Sequence, residues 1–178
     1  MPVRARVPDA MSVSSLHDLF VHDLEDVYYA ENELLDALSE LAEQTEDEEI
    51  AQAFRDHREE TEGHVDRLDQ VFEKLGQEPE HEECEGIEGL ITEHEEFLEM
   101  DPDQDVLDLH NLVAAQKTEH YEIAAYGNLA VIADRLGEDE IGDILHETLE
   151  EEETALDKVA TLTEEFDIQR MTGAASDD

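Results

Sequence analysis

The sequence predicts an all-α fold, an antiparallel four-helix bundle in which a long crossover between helices two and three carries an extra helix. Three observations lead there. Apolar residues recur at spacings of three and four through four long stretches and one short one. No stretch alternates apolar and polar residues in the manner of a strand. Two joins between long stretches are short turns and the third is long, the pattern of two helical hairpins linked by one crossover.

Ser14 or Ser15 can cap the first helix, with Asp18 as the acid of a capping box after Ser15. Its apolar stripe is Leu16, Phe20, Leu24, Val27, Leu34, Leu38 and Leu41, and Glu31 falls within it. Thr45 and Glu48 form a second capping-box pattern, so helix two starts there and runs to about Leu75, where Gly76 stops it. Pro79 and Pro102 bound the crossover, about 77–104. Inside it, Cys84 to Met100 has helical spacing through Ile87, Leu90, Ile91, His94 and Leu98. Helix three runs from about Asp105 to Leu136, with Glu119 and His120 filling the gap in its stripe between Gln116 and Ile123. Gly137 ends it. Helix four runs from about Glu140 to Phe166, with Ile141, Leu145, Leu149, Leu156 and Val159 on its stripe and Thr148, Glu151 and Glu152 facing the same way. The expected organisation is one domain over 14–168, after a flexible segment 1–13 and before a disordered acidic tail 169–178.

Lys and Arg number 10 against 53 Asp and Glu, a net charge of -43. Phosphates and anionic lipid surfaces are repelled by such a chain, which excludes nucleic-acid binding and membrane-surface roles. The acids fall between regular apolar positions, so they form the outer faces of helices. Excess acid with only three lysines, at 74, 117 and 158, is the composition expected of a cytoplasmic protein from a high-salt organism, with cations gathered at its surface. The segment Met1 to Met11 has no apolar run and predicts neither a signal peptide nor a membrane span. Cys84 is the single cysteine, so no internal disulfide forms, and it reads as a small apolar residue.

The chemistry is concentrated in His57-Arg-Glu-Glu-Thr-Glu-Gly-His64. Continuing the stripe of helix two inward puts His57, Thr61 and His64 toward the core, with Glu60 beside them one turn after His57 and one turn before His64. A buried carboxylate or imidazole is costly unless it is paired or holds a metal. Counting from the turns tests whether other helices bring matching groups. Glu31 lies 14 residues before Thr45 and Glu60 lies 15 after it. In the second hairpin Glu122 lies 15 residues before Gly137 and Glu152 lies 15 after it, with Glu119 one turn deeper. Carboxylates of all four helices therefore reach one layer. Bland readings stand beside this one. A charge run such as Glu150 to Glu153 is commonly a solvated face, and a stripe histidine is commonly a satisfied core group. Tyr28, Tyr29, Tyr121 and Tyr126 read as packing groups with a polar end, or as hydroxyl donors around the site.

Five segments, Leu24 to Glu31, His57 to Thr61, Cys84 to Ile91, Ala114 to Gly127 and Glu147 to Glu152, resemble the YciE/YciF family over about residues 14–166. The resemblance implies a ferritin-like bundle, association with bacterial stress responses, a homodimer and a dinuclear metal motif. Carried over residue by residue, Glu31 and Glu60 match the carboxylates of the first hairpin. Glu119 and Glu122 match those of helix three, and Glu151 or a neighbour matches helix four. Ferritin-like sites usually place a histidine three residues after the helix-two Glu. Here Gly63 stands there, with His57 three before Glu60 and His64 four after, which implies a set richer in carboxylate. His146, four before Glu150, is off the stripe.

The candidate metal ligands are thus Glu31, His57, Glu60, His64, Glu119, Glu122 and Glu151, with Glu60 as their centre. Carboxylate and imidazole suit two ions of iron or manganese per chain, and such a pair can react with oxygen or peroxide. The alternative is a non-catalytic structural or interaction dimer whose site is empty or structural. The sequence leaves open whether the chain is an enzyme. A metal store ranks last, because a dimer has no cage.

Overall fold

Ser15 opens the first helix as the sequence predicts. Its hydroxyl accepts from Asp18 N at 3.0 Å, while the Asp18 carboxylate accepts from Ser15 N at 3.0 Å, closing the capping box at α1, Leu16–Gln44. The computed structural model describes residues 13–79 and 83–168. All of the expected flexible start over 1–13 except Val13, and the acidic tail over 169–178, lie outside the described residues.

The cap of α2, Glu48–Leu75, differs from the expected one. Asp47 is the N-cap, its carboxylate accepting from Glu49 N and Ile50 N. Thr45 is turned inward instead. Its hydroxyl donates to Leu41 O at 2.7 Å and accepts from Asn111 Nδ2 at 2.9 Å. Asp108 holds the same turn from the other hairpin, accepting from Glu46 N and Asp47 N at 3.1 and 3.0 Å. Asp47, two residues nearer the helix, satisfies two of its free N–H groups, while Asn111 draws Thr45 into the core. Gly76 and Gly137 end α2 and the fourth helix in left-handed geometry, at φ 68° and 79°. The remaining helices are α3, Glu85–Leu98, in the crossover, α4, Gln104–Leu136, and α5, Asp139–Glu165.

Two apolar clusters fix the topology. One gathers Phe20 and Leu24 from the start of α1, Leu68 and Phe72 from the end of α2, Leu129 and Ala133 from the end of α4, and Ile141 and Leu145 from the start of α5. The other gathers the opposite ends: Leu38 and Leu41, Ile50 and Phe54, Leu112 and Ala115, and Val159. Hence α1 and α2 are antiparallel, as are α4 and α5, while α2 and α4 run the same way. Only a crossover spanning the bundle's length permits that, which is the ferritin-like arrangement. The α3 helix lies along the outside, with Cys84 and Ile87 packed on Ala30 and Leu34. No described helix is long and apolar enough to cross a membrane.

Candidate metal centre

Between the two apolar clusters the stripes change character. There α1 offers Glu31, α2 offers His57 and His64, α4 offers Glu119 and Glu122, and α5 offers Glu152. All six are buried, with Glu31, His64 and Glu152 at 0% exposure. Their donor atoms form two groups able to hold a metal ion, His57 with Glu119, Glu122 and Glu152, and Glu31 with His64 and Glu152. Within each group one ligand atom per residue lies within 4.8 Å of the others, and Glu152 belongs to both. A further group, His22, Asp23 and Asp26, lies half-buried on α1, away from this layer.

The contacts run in pairs. His57 Nε2 is 3.2 Å from Glu119 Oε1 and 3.8 Å from Glu152 Oε2. His64 Nδ1 is 2.9 Å from Glu152 Oε1 and 3.4 Å from Glu31 Oε1. These are ion-pair distances, but His64 Nδ1 and both Glu152 oxygens lack aligned hydrogen-bond partners. Glu31 Oε2, Glu119 Oε2 and both oxygens of Glu122 are likewise buried and unpartnered. Buried polar atoms are ordinarily satisfied, so such a concentration of lone pairs aimed at one space fits a cation. Even with both imidazoles protonated, two cations face four carboxylates. Burial, with the Glu152, Glu31 and Glu119 charges around it, holds Glu122 well above the usual carboxylate range. Burial also raises Glu31 and Glu152, against the opposing pull of His64. Burial lowers His64, yet Glu152 and Glu31 outweigh it and hold the imidazole up to about 10. Burial likewise opposes protonation of His57, and Glu119 and Glu60 override it.

Two of the expected ligands stand elsewhere. Glu60 is not at the centre but at the rim, with its side chain 54% exposed and its Oε2 3.4 Å from His57 Nδ1, behind the ring. Glu151 is 36% exposed and stands 3.0 Å from His64 Nε2, again behind the ring. Arg67 grips it with two nitrogens at 2.6 and 2.8 Å. Each histidine thus presents one nitrogen to the interior and gives the other to an outer carboxylate, the arrangement that fixes the orientation of a metal-ligating imidazole. Depth from the turn was sound for Glu60, but depth ignores rotation. Glu60 lies roughly 80° from the centre of its stripe at about 100° per residue. A rotation of about 100° likewise separates Glu151 from Glu152. The signal for Glu152 is in the sequence: Ile141, Leu145, Thr148, Glu152, Ala155 and Val159 repeat at four, three, four, three and four.

Tyr126 is the other group the interior gains. It is fully buried and its hydroxyl donates to Glu31 Oε1. Tyr29 and Tyr121 serve the crossover instead, bonding Glu88 and Cys84 respectively.

Relatives share this architecture. The family described as "Domain of unknown function (DUF892)" matches residues 15–171. Protein YciF of Escherichia coli (strain K12) is 42% identical over 153 residues, which cover 85% of this chain and 92% of that protein. The crystal structure of that E. coli stress protein superposes with a TM-score of 0.81, covering 85% of this chain and 96% of YciF. YcfI of Rhodopseudomonas palustris, for which a structural role has been suggested, is 41% identical with a TM-score of 0.82 over 85% of this chain and 97% of its own. A Xanthomonas campestris protein, XCC3681, shares the fold at 20% identity and a TM-score of 0.72, covering 90% of this chain and 99% of its own. With its family match across the whole bundle and 42% identity to YciF, the chain belongs to the DUF892 family.

Proposed function

We propose that this chain is a ferritin-like stress-response protein of the cytoplasm whose central layer holds two iron or manganese ions and reacts with oxygen or peroxide. One observation carries the reading: Glu152 lies in both donor groups, as a carboxylate shared between two ions would. His57, Glu119 and Glu122 would hold one ion, and His64 and Glu31 the other. A pair of redox-active ions in such a set supplies two electrons to an oxidant. The chain's own residues do the rest. Glu60 and Glu151 hold the imidazoles so that His57 Nε2 and His64 Nδ1 face inward. Tyr126 orients Glu31 by donating a hydrogen bond to its Oε1. The apolar clusters above and below close the layer at its two ends, and their low polarity strengthens the charge interactions beside them.

Elemental analysis of natively purified protein, with the absorbance of a bridged ferric pair, tests this. Two ions per chain and consumption of peroxide are expected. No metal, even after reconstitution, refutes it. The second reading, a non-catalytic structural or interaction dimer, draws on the ion pairs of His57 with Glu119 and His64 with Glu152, which can hold the layer together without metal. The reading includes the homodimer that the family resemblance implies, and light scattering in molar salt checks it.

A further inference from the structure

A cavity of about 250 Å³ lies between α1, α3 and α4. Its floor is His57, Glu119 and Glu122, three members of one donor group, while Glu152, Glu31 and His64 do not line it. Leu34, Leu38 and Leu41 from α1 and Leu90 and Ile91 from α3 give its walls their apolar part, beside His94, His110, Lys117 and Thr118. Asp36, Glu40, Glu93 and Glu95 also line it and are exposed, which places them at its mouth.

The crossover helix makes the cavity. Ile87 anchors one end of α3 in the groove, with Cys84 Sγ 3.0 Å from Tyr121 Oη. At the other end Phe97 stacks on His110 at 3.6 Å and His94 Nε2 meets Gln44 Oε1 at 3.1 Å. Between them Lys117 Nζ reaches Glu93 at 2.7 Å. The α3 helix therefore roofs a preformed space.

We infer that this cavity binds a small organic molecule with an apolar body and no negative charge, its polar end toward His57, Glu119 and Glu122. The leucine and isoleucine part of the walls favours an apolar body and gives a hydrated ion nothing in exchange for its water. At the mouth Asp36, Glu40, Glu93 and Glu95 outnumber Lys117, which also lines the cavity, and repel an anion. The volume suits a body somewhat larger than benzene, since an apolar cavity of about 150 Å³ holds that molecule. Binding stands on the cavity alone. That the polar end meets an ion at the His57 group rests on the metal reading above.

The test titrates metal-free protein in molar potassium chloride with three probes of one chain length, 1-hexanol, hexylamine and hexanoate, followed by methyl NMR. Hexanol and hexylamine should bind saturably, one per chain, and shift the Leu38 and Leu90 methyls. Hexanoate should bind at least tenfold more weakly. Ala114→Phe and Ala37→Phe, from two different walls, should each remove binding, while Val131→Phe on the exposed face of α4 should not. Absence of saturable binding, equal binding of hexanoate, or binding that survives whichever filled variant keeps the parent's helical circular dichroism overturns the proposal. Iron loading of the same proteins separates the two readings. A parent that takes up iron but no hexanol loses the pocket and keeps the metal centre. One that binds hexanol but no iron keeps the pocket and loses the metal reading.

Discussion

Glu151 Oε2 stands 3.0 Å from Nε2 of His64, while the adjacent residue, Glu152, stands 2.9 Å from Nδ1 of the same ring. Neighbours in sequence thus grip opposite nitrogens of one imidazole. Glu152 points into the layer, and Glu151 faces out to Arg67. Protonated, the ring can face a carboxylate on each side. When a cation takes Nδ1, the Nε2 proton and its bond to Glu151 can stay.

This division of labour predicts contrasting variants. Glu152→Gln should lose both ions with the helical fold kept, because it removes the charge common to both groups. Glu60→Gln should keep the stoichiometry and weaken affinity by about 10–100-fold, the usual cost of losing an outer partner of a ligand histidine. Elemental analysis and competitive titration with a chelator report both quantities. Equal loss of metal in the two variants would return Glu60 to the set of direct ligands.

Glu122 has both carboxylate oxygens buried and unpartnered. Glu122→Gln keeps the volume and removes an uncompensated acid. Metal-free stability should be unchanged or higher by about 1 kcal/mol. Urea midpoints in the presence of a chelator measure it, and a clear fall in midpoint contradicts the description of Glu122 as unsatisfied.

The layer also fixes a pH dependence. His64 is held up to about 10 in the folded chain, above its ordinary 6.5, so the folded state binds this proton more tightly than the unfolded one. The stabilisation is complete below about 6.5 and is lost as pH rises through about 10. Glu31, Glu122 and Glu152 are also raised, so their contributions decline in the same direction as pH rises from the ordinary carboxylate range. Melting temperature of metal-free protein, recorded in molar salt to screen the surface, should fall between pH 6.5 and 10. His64→Gln should flatten that part of the curve, and metal binding should release protons. A flat parent curve would show that the histidine is not held protonated.

At a net charge of -43, like-charge repulsion dominates the surface. Salt shortens its reach from about 30 Å at 0.01 M to about 3 Å at 1 M. Melting temperature should therefore climb into the molar range of potassium chloride, and a flat or falling curve contradicts a high-salt origin. Amide exchange should show α3 loosening first at low salt. It buries only Ile87 among its own residues and carries Glu85, Glu88, Glu93, Glu95 and Glu96.

Helical periodicity and composition specified five helices, two glycine stops and a four-helix bundle with an occupied crossover, because those follow from local spacing and backbone geometry. The same spacing placed Glu31, His57, His64 and Glu119 on inward stripes, and all four are buried in one layer with Glu122, which only the count from Gly137 and the family resemblance had pointed to. Residue counts from the turns fixed depth and nothing else. Rotation about each helix axis decided that Glu152 enters the layer while Glu151 pairs with Arg67, and that Glu60 backs His57. The cap at Asp47 was likewise settled by two distant residues, since Asn111 draws Thr45 inward and Asp108 holds the turn. The cavity under α3 needs three helices at fixed separation, and no pattern within one helix encodes that distance. Spacing is a property of the local chain, whereas which atoms share a space depends on how whole helices are turned and set against each other.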